Sequence, residues 1–167
     1  MTRTPHPDPS PITVACAVVT VSDTRTVETD GSGREIQESL TRSGHRCVFY
    51  RIIPDDPGRI QGLLREIGDR DDIDALILNG GTGIAPRDTT HDALVPLLQK
   101  TLPGFGEIFR YLSYQEIGSR AIASRAIAGI YRDLLIFSLP GSTGAVRLAM
   151  DKLILPEIVH LVRQLKG

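Results

Sequence analysis

The feature that most constrains the fold is a short, valine-rich apolar run from Ile12 to Val21, followed by alternating helical and apolar segments. A nearly continuous apolar run of this length, rich in β-branched residues, suits a strand covered on both faces, as in a parallel sheet. Ile36 and Leu40 then lie four apart within Gly33 to Ser43, before Gly44, the residue type that commonly follows a helix. His45 to Ile53 alternates Val48, Tyr50 and Ile52 and stops at Pro54-Asp55-Asp56-Pro57. There Asp56 is placed to cap a helix with Pro57 at its first position, and Ile60, Leu63, Leu64 and Ile67 form that helix's apolar stripe. Asp74 to Asn79 reads as a third strand, which makes the pattern β-α-β-α-β.

The second half departs from simple alternation. Thr90 is a plausible cap for a helix carrying Ala93, Leu94, Leu97 and Leu98, in which Pro96 forces a kink or a split. Phe105, Ile108, Phe109 and Leu112 mark another helix. Ala126 to Tyr131 and Leu134 to Leu139 are joined only by Arg132-Asp133, too short for a parallel crossover, so they form an antiparallel pair. Val146, Ala149, Met150 and Leu153 continue a helical pattern from Thr143, and Pro156 is read as the start of a last helix. The expected fold is α/β, three layers, with a mostly parallel sheet carrying an antiparallel edge pair. Its 167 residues suit one domain over residues 12–167, preceded by a flexible proline-rich tail over residues 1–11. Ser119-Arg120-Ala121-Ile122-Ala123 is echoed by Ser124-Arg125-Ala126-Ile127-Ala128, too short for a repeat unit and assigned no function.

Charge and length exclude several classes. A formal net charge of -1 gives no global field to draw the chain to nucleic acid or an anionic membrane. The longest apolar stretch, Val14 to Val19, is far short of the roughly 18 residues that cross a bilayer. Cys16 and Cys47 stand apart without CxxC spacing, which suits buried thiols in a reducing cytoplasm. The four histidines have no second ligand at metal spacing, and neither GxxxxGK[ST] nor GxGxxG is present.

In a wound sheet, ligands bind beyond the carboxyl ends of the strands, and polar chemistry collects there. The first strand ends in Thr20-Val21-Ser22-Asp23 and leads to Asp30-Gly31-Ser32-Gly33. The second ends in Ile53-Pro54-Asp55, the third in Asn79-Gly80-Gly81-Thr82-Gly83, and the last in Leu139-Pro140-Gly141-Ser142. If these strands run the same way, their glycines and hydroxyls share one rim and offer N–H groups and small donors to an anion, which favours a phosphorylated ligand. Any one cluster alone also reads as an ordinary turn. Ser32 competes as a helix cap, Asp55 competes with Asp56 for the same role, and Arg87-Asp88 reads equally as a solvated ion pair.

In this order, and with Arg87-Asp88 and Pro103-Gly104-Phe105-Gly106-Glu107 added, the motifs resemble the MoaB/MogA family of molybdenum cofactor biosynthesis over residues 12–160. Glu116-Ile117-Gly118 and Ser124-Arg125-Ala126 are similar to its MoaB branch in particular. The resemblance implies a molybdopterin-binding fold, a homotrimer or homohexamer, and adenylyl transfer from ATP to molybdopterin with a divalent metal. It also places Asp55 and Asp88 on the family's critical aspartates. Gly80, Gly81, Thr82, Gly83, Pro140, Gly141 and Ser142 fall where the ligand is cradled, and Ser22, Asp23, Asp30 and Ser32 fall on further motif positions. Where the family often continues Arg-Asp-x-Thr-Pro-Glu, this chain has His91-Asp92 in place of Pro-Glu, with a small expected effect on the start of the helix.

The residue types suit that chemistry. A phosphate monoester is ionised near neutral pH, so the pterin's terminal phosphate needs no dedicated base to attack the α-phosphorus of ATP. Asp55 and Asp88 are better used as ligands of Mg²⁺, and Arg87 is the candidate for supporting triphosphate charge. The rival expectation is a molybdopterin-binding carrier that performs no transfer.

Overall fold

Residue parity along the strands builds two cores. The computed structural model describes residues 11–167, so all but Pro11 of the expected proline-rich tail lies outside the described residues. Its strands are β1 (Ala15–Val21), β2 (Arg46–Ile53), β3 (Ala75–Asn79), β4 (Lys100–Thr101), β5 (Ile127–Tyr131) and β6 (Leu134–Leu139). Along β1, Cys16 and Val18 enter one apolar cluster while Ala17, Val19 and Val21 enter the other. Ala75 and Ile77 of β3 likewise oppose Leu76 and Leu78. Such alternation is what strands with helices on both faces require.

The helices supply the other side of each core. α1 (Gly31–Arg42), α4 (Pro103–Ile117), α5 (Thr143–Ala149) and α6 (Leu155–Lys166) cover one face through Ile36, Leu40, Phe109, Val146 and Ile158. α2 (Pro57–Gly68) and α3 (Thr90–Leu94) cover the other through Ile60, Leu64, Ile67 and Leu94. The sheet order is β2-β1-β3-β6-β5-β4. β1 pairs parallel with β2 and β3, β3 pairs parallel with β6, and β5 is antiparallel to both β6 and β4. The three layers and the antiparallel edge agree with the sequence reading.

Three local features differ from it: the edge strand β4, the cap of α1 and the place of Thr90. β4 was not foreseen: its two residues, Lys100 and Thr101, are exposed and carry no apolar signal. α1 begins at Gly31 and is capped by Asp30, whose carboxylate accepts from the Gly33 N–H at 2.9 Å, and Ser32 is the second helical residue. Pro96 splits its segment, as expected, into α3 and a 3-10 turn over Val95–Leu97, but Thr90 lies within the helix without capping it. Pro156 falls in the first turn of α6, as expected, and a π turn over Met150–Ile154 joins α5 to α6. The wider turn relieves the clash a proline ring makes with the preceding turn's carbonyl.

One buried base makes the fold acid-sensitive. The neutral ring of His45 accepts the Val14 N–H at Nδ1, at 3.2 Å, and burial lowers the histidine below its ordinary 6.5. The unfolded chain therefore takes up this proton first. The contribution to stability is complete above pH 6.5 and is lost as pH falls through the lower folded value. His45→Asn, which keeps an acceptor but does not titrate, is expected to flatten the stability profile between pH 7 and pH 5 in urea titrations. An unchanged profile contradicts this assignment.

Candidate functional site

Because β1, β2, β3 and β6 are parallel, their carboxyl ends bring the following loops to one rim. The connections reverse direction beside β1, between β2 and β3, and this is where wound sheets open a crevice. Val21 stands opposite Ile53, Thr20 opposite Asn79, and Asn79 opposite Leu139.

The centre of the rim is a turn that glycine alone makes without strain. Gly80 and Gly81 have φ of +102° and +68°, a region costly for other residues. A Cβ on Gly80 would stand 2.2 Å from the Val21 carbonyl oxygen. One on Gly81 would stand 2.2 Å from Thr90 Oγ1 and 2.6 Å from Asp55 Oδ2. A cavity of about 300 Å³ opens here, walled by Gly80, Gly81, Thr82, Gly83 and Asp88 from one loop and by Pro140, Gly141 and Ser142 from another. Three buried polar atoms near this turn, Asn79 Oδ1, Thr90 Oγ1 and Ser124 Oγ, have no hydrogen-bond partner among the described residues. Each such atom costs about 1–3 kcal/mol unless water or a ligand satisfies it, so the rim is suited to a polar guest.

The two acids flank the same loop. Asp55 Oδ1 accepts from the Thr89 N–H at 3.0 Å and from its hydroxyl at 2.6 Å, while the Asp55 N–H donates to Asp23 Oδ1 at 2.9 Å. Asp88 Oδ2 accepts from the Ala85 N–H at 3.0 Å and lies 2.7 Å from where a Gly83 Cβ would be. Asp55 Oδ2 and Asp88 Oδ1 therefore keep free lone pairs among the described residues. Asp88 lines the cavity wall, whereas Asp55 stands behind Gly81.

Asp30, Ser32 and Ser22 hold the rim in place without lining this cavity. Asp30 and Ser32 are buried, at 1% and 0% exposure. Asp30 Oδ2 accepts from Thr20 Oγ1 at 2.6 Å and from the Tyr50 hydroxyl, and Oδ1 takes the Gly33 N–H. Burial, and then the adjoining Asp30, push the Tyr50 hydroxyl above its usual range. Ser32 Oγ and Arg25 Nη2 both donate to the Gly141 carbonyl, at 2.7 and 2.9 Å. The buried network thus reaches the Pro140-Gly141-Ser142 loop. Ser142 caps α5 by accepting the Ala145 N–H at 3.3 Å, and Ser22 Oγ accepts from the N–H groups of Thr24 and Arg25. Arg87 is exposed and is not among the residues that line this cavity.

Arg125 was missed by sequence reasoning. Its Nε and Nη2 donate to the Gly83 carbonyl at 3.1 and 2.8 Å, and Nη2 also donates to the Asp88 carbonyl at 3.2 Å. Its Nη1 donates to Asp92 Oδ1 at 3.0 Å, and this fork holds the Asp92 carboxyl below the usual range. His91 Nδ1 lies 3.0 Å from the Arg125 carbonyl oxygen. The His91-Asp92 departure therefore ties the start of α3 to Arg125 as well as altering the helix terminus. The sequence marked Arg125 through the Ser-Arg-Ala-Ile-Ala echo and through Ser124-Arg125-Ala126 of the family resemblance, and neither gave it a role.

A mostly parallel sheet with a glycine turn, flanking acids and hydroxyl-bearing loops at its crevice defines a three-layer α/β domain suited to a small polar ligand. A family model described as "Probable molybdopterin binding domain" matches residues 17–160. The chain is 53% identical over 161 residues to molybdenum cofactor biosynthesis protein B of Halalkalibacterium halodurans, covering 96% of this chain and 95% of that protein. A crystal structure of a molybdenum cofactor biosynthesis protein B superposes with a TM-score of 0.91 at 49% identity, covering 94% of this chain and 98% of that one. The tungsten cofactor synthesizing protein MoaB from Pyrococcus furiosus superposes at 0.84 with 36% identity, covering 95% of this chain and 100% of that one. This chain belongs to the MoaB/MogA family of molybdenum cofactor biosynthesis proteins, in its MoaB branch. No helix among the described residues is long and apolar enough to cross a membrane.

Proposed function

We propose that this protein binds molybdopterin and transfers to it the adenylyl group of ATP, giving adenylylated molybdopterin and pyrophosphate. The observation that carries the reading is the pair of acids, Asp55 and Asp88, packed against Gly81 and Gly83 of one loop, each with a carboxylate oxygen to spare. A pterin phosphate oxygen bonds to the α-phosphorus of ATP as the bond from that phosphorus to the departing pyrophosphate breaks. The Gly80–Gly83 and Pro140–Ser142 loops hold the ligand, Thr89 and Ala85 fix the acids, and Arg125 fixes the loop between them.

Magnesium fits these residues. Among the described residues no group of three or more His, Cys, Asp or Glu forms a closed metal cage. Mg²⁺ characteristically binds through one or two carboxylates and completes its shell with phosphates and water, so Asp55 Oδ2 and Asp88 Oδ1 would suffice with ATP present. When bound, the ion neutralises charge on the leaving pyrophosphate. The free thiols Cys16 and Cys47 suit a cytoplasmic setting.

The test is pyrophosphate release by the pure protein with ATP and Mg²⁺, with and without molybdopterin. Release that requires the pterin is expected. Tight pterin binding with no pterin-dependent pyrophosphate overturns the transferase reading in favour of a carrier.

The reading also includes a homo-oligomer, trimer or hexamer. Support comes from α4 and the turn after it, where Tyr111, Tyr114, Ile117 and Ile122 are 61%, 60%, 58% and 89% exposed. Large apolar groups clustered on a surface commonly mark an interface. Sedimentation at micromolar concentration is expected to give at least three times the 18.2 kDa chain mass, and a lone monomer contradicts this part.

A further inference from the structure

Resting on the reading that the ligands carry phosphate, we infer that Arg120 is the cationic phosphate contact of this site, in the place the sequence suggested for Arg87. The cavity over the glycine turn has one basic side chain among its described lining residues, Arg120, and one acidic one, Asp88. Arg120 sits on the 3-10 turn over Gly118–Ala123, where its neighbour Ala121 is buried at 4% exposure and anchors the turn. Arg125 spends its guanidinium on the Gly83 and Asp88 carbonyls and on Asp92, and Arg25 spends its own on the Gly141 carbonyl and Asp30. The Arg120 guanidinium has no hydrogen bond or ion pair among the described residues.

The same wall includes Ser124, whose buried Oγ has no hydrogen-bond partner among the described residues. A guanidinium fork on the wall of the cavity that the glycine loop also lines is a donor matched to a phosphate ester. The phosphate is either the pterin's terminal group or part of ATP, and the two share this chemistry.

Because Arg120 and Arg87 are both exposed, replacing either leaves the core untouched, and melting and sedimentation of each variant check this. Arg120→Gln is expected to weaken the contacted ligand about tenfold and to reduce the salt dependence of its binding, in line with losing one charge-assisted hydrogen-bonding group. Arg87→Gln serves as the comparison and is expected to change binding less than twofold. The molybdopterin Kd and the ATP Kd are measured separately: a rise in the first assigns the pterin phosphate, a rise in the second the nucleotide, and either supports the proposal. A pterin lacking its phosphate is expected to bind the wild-type chain and Arg120→Gln equally if the pterin phosphate is the contact. Arg120→Lys is expected to recover part of the loss by restoring charge without the fork. Unchanged affinity for both ligands in a normally folded Arg120→Gln overturns the proposal, as does a loss that appears only together with a changed oligomeric state. Failure of the wild-type chain to bind molybdopterin or ATP overturns instead the functional reading beneath it.

Discussion

Asp55→Asn and Asp88→Asn are each expected to lower adenylyl transfer at least a hundredfold while molybdopterin stays bound. The substitution keeps side-chain volume but removes an anionic oxygen from the loop that would align ATP. A hundredfold loss corresponds to about 2.7 kcal/mol of transition-state stabilisation, a reasonable share for one metal ligand. Asp55 and Asp88 will differ in a second respect. Asp55 Oδ1 accepts two hydrogen bonds from Thr89, so Asp55→Asn is expected to perturb the 82–92 loop as well as the chemistry. Asp88 meets only the Ala85 N–H through its side chain, so Asp88→Asn is the cleaner probe. Thermal melting must accompany both assays. Normal melting with wild-type turnover in both variants removes the metal-ligand assignment, and loss of the pterin from both makes these aspartates part of the binding site.

Asp30→Ala is expected to destabilise the fold by about 3 kcal/mol, because it strands the Thr20 hydroxyl, the Tyr50 hydroxyl and the Gly33 N–H, whose lost hydrogen bonds to a charged group sum to at least that. In a chain of this size that lowers Tm by roughly 6–12 °C, at about 2–4 °C per kcal/mol. The consequence reaches the ligand loop. Arg25 loses its carboxylate at 3.7 Å, and the grip of Arg25 and Ser32 on the Gly141 carbonyl loosens. Pterin affinity is therefore expected to fall even below the new melting temperature, where the chain is still folded. Melting within 2 °C of the wild type shows that the network contributes little.

These assignments separate what local pattern encodes from what only tertiary contact decides. The apolar runs of β1, β3 and β6 and the two-residue Arg132-Asp133 connection are strong local signals, and from them follow the parallel strands, the shared rim and the antiparallel edge. The choice between Asp30 and Ser32 as the cap of α1 is invisible locally, because both are good capping residues. It is decided by Thr20 on β1 and Tyr50 on β2, which hold Asp30 in place. Arg125 was illegible for a similar reason: its partners Gly83, Asp88 and Asp92 lie 33 to 42 positions away in sequence. Arg87 adjoins the same loop in sequence, yet Arg120, from a turn 33 positions further on, is the arginine that lines the cavity. β4 escaped notice because a two-residue exposed edge strand has no hydrophobic period to read.

The most direct test of the central claim follows the adenylyl group itself. ATP radiolabelled at its α-phosphate is incubated with the pure protein, molybdopterin and Mg²⁺, and the pterin is separated by chromatography. Label is predicted to appear on the pterin, to require Mg²⁺, and to fall at least a hundredfold with Asp88→Asn. Pterin that binds the protein tightly but carries no label after many hours, while all label remains in ATP, contradicts the account.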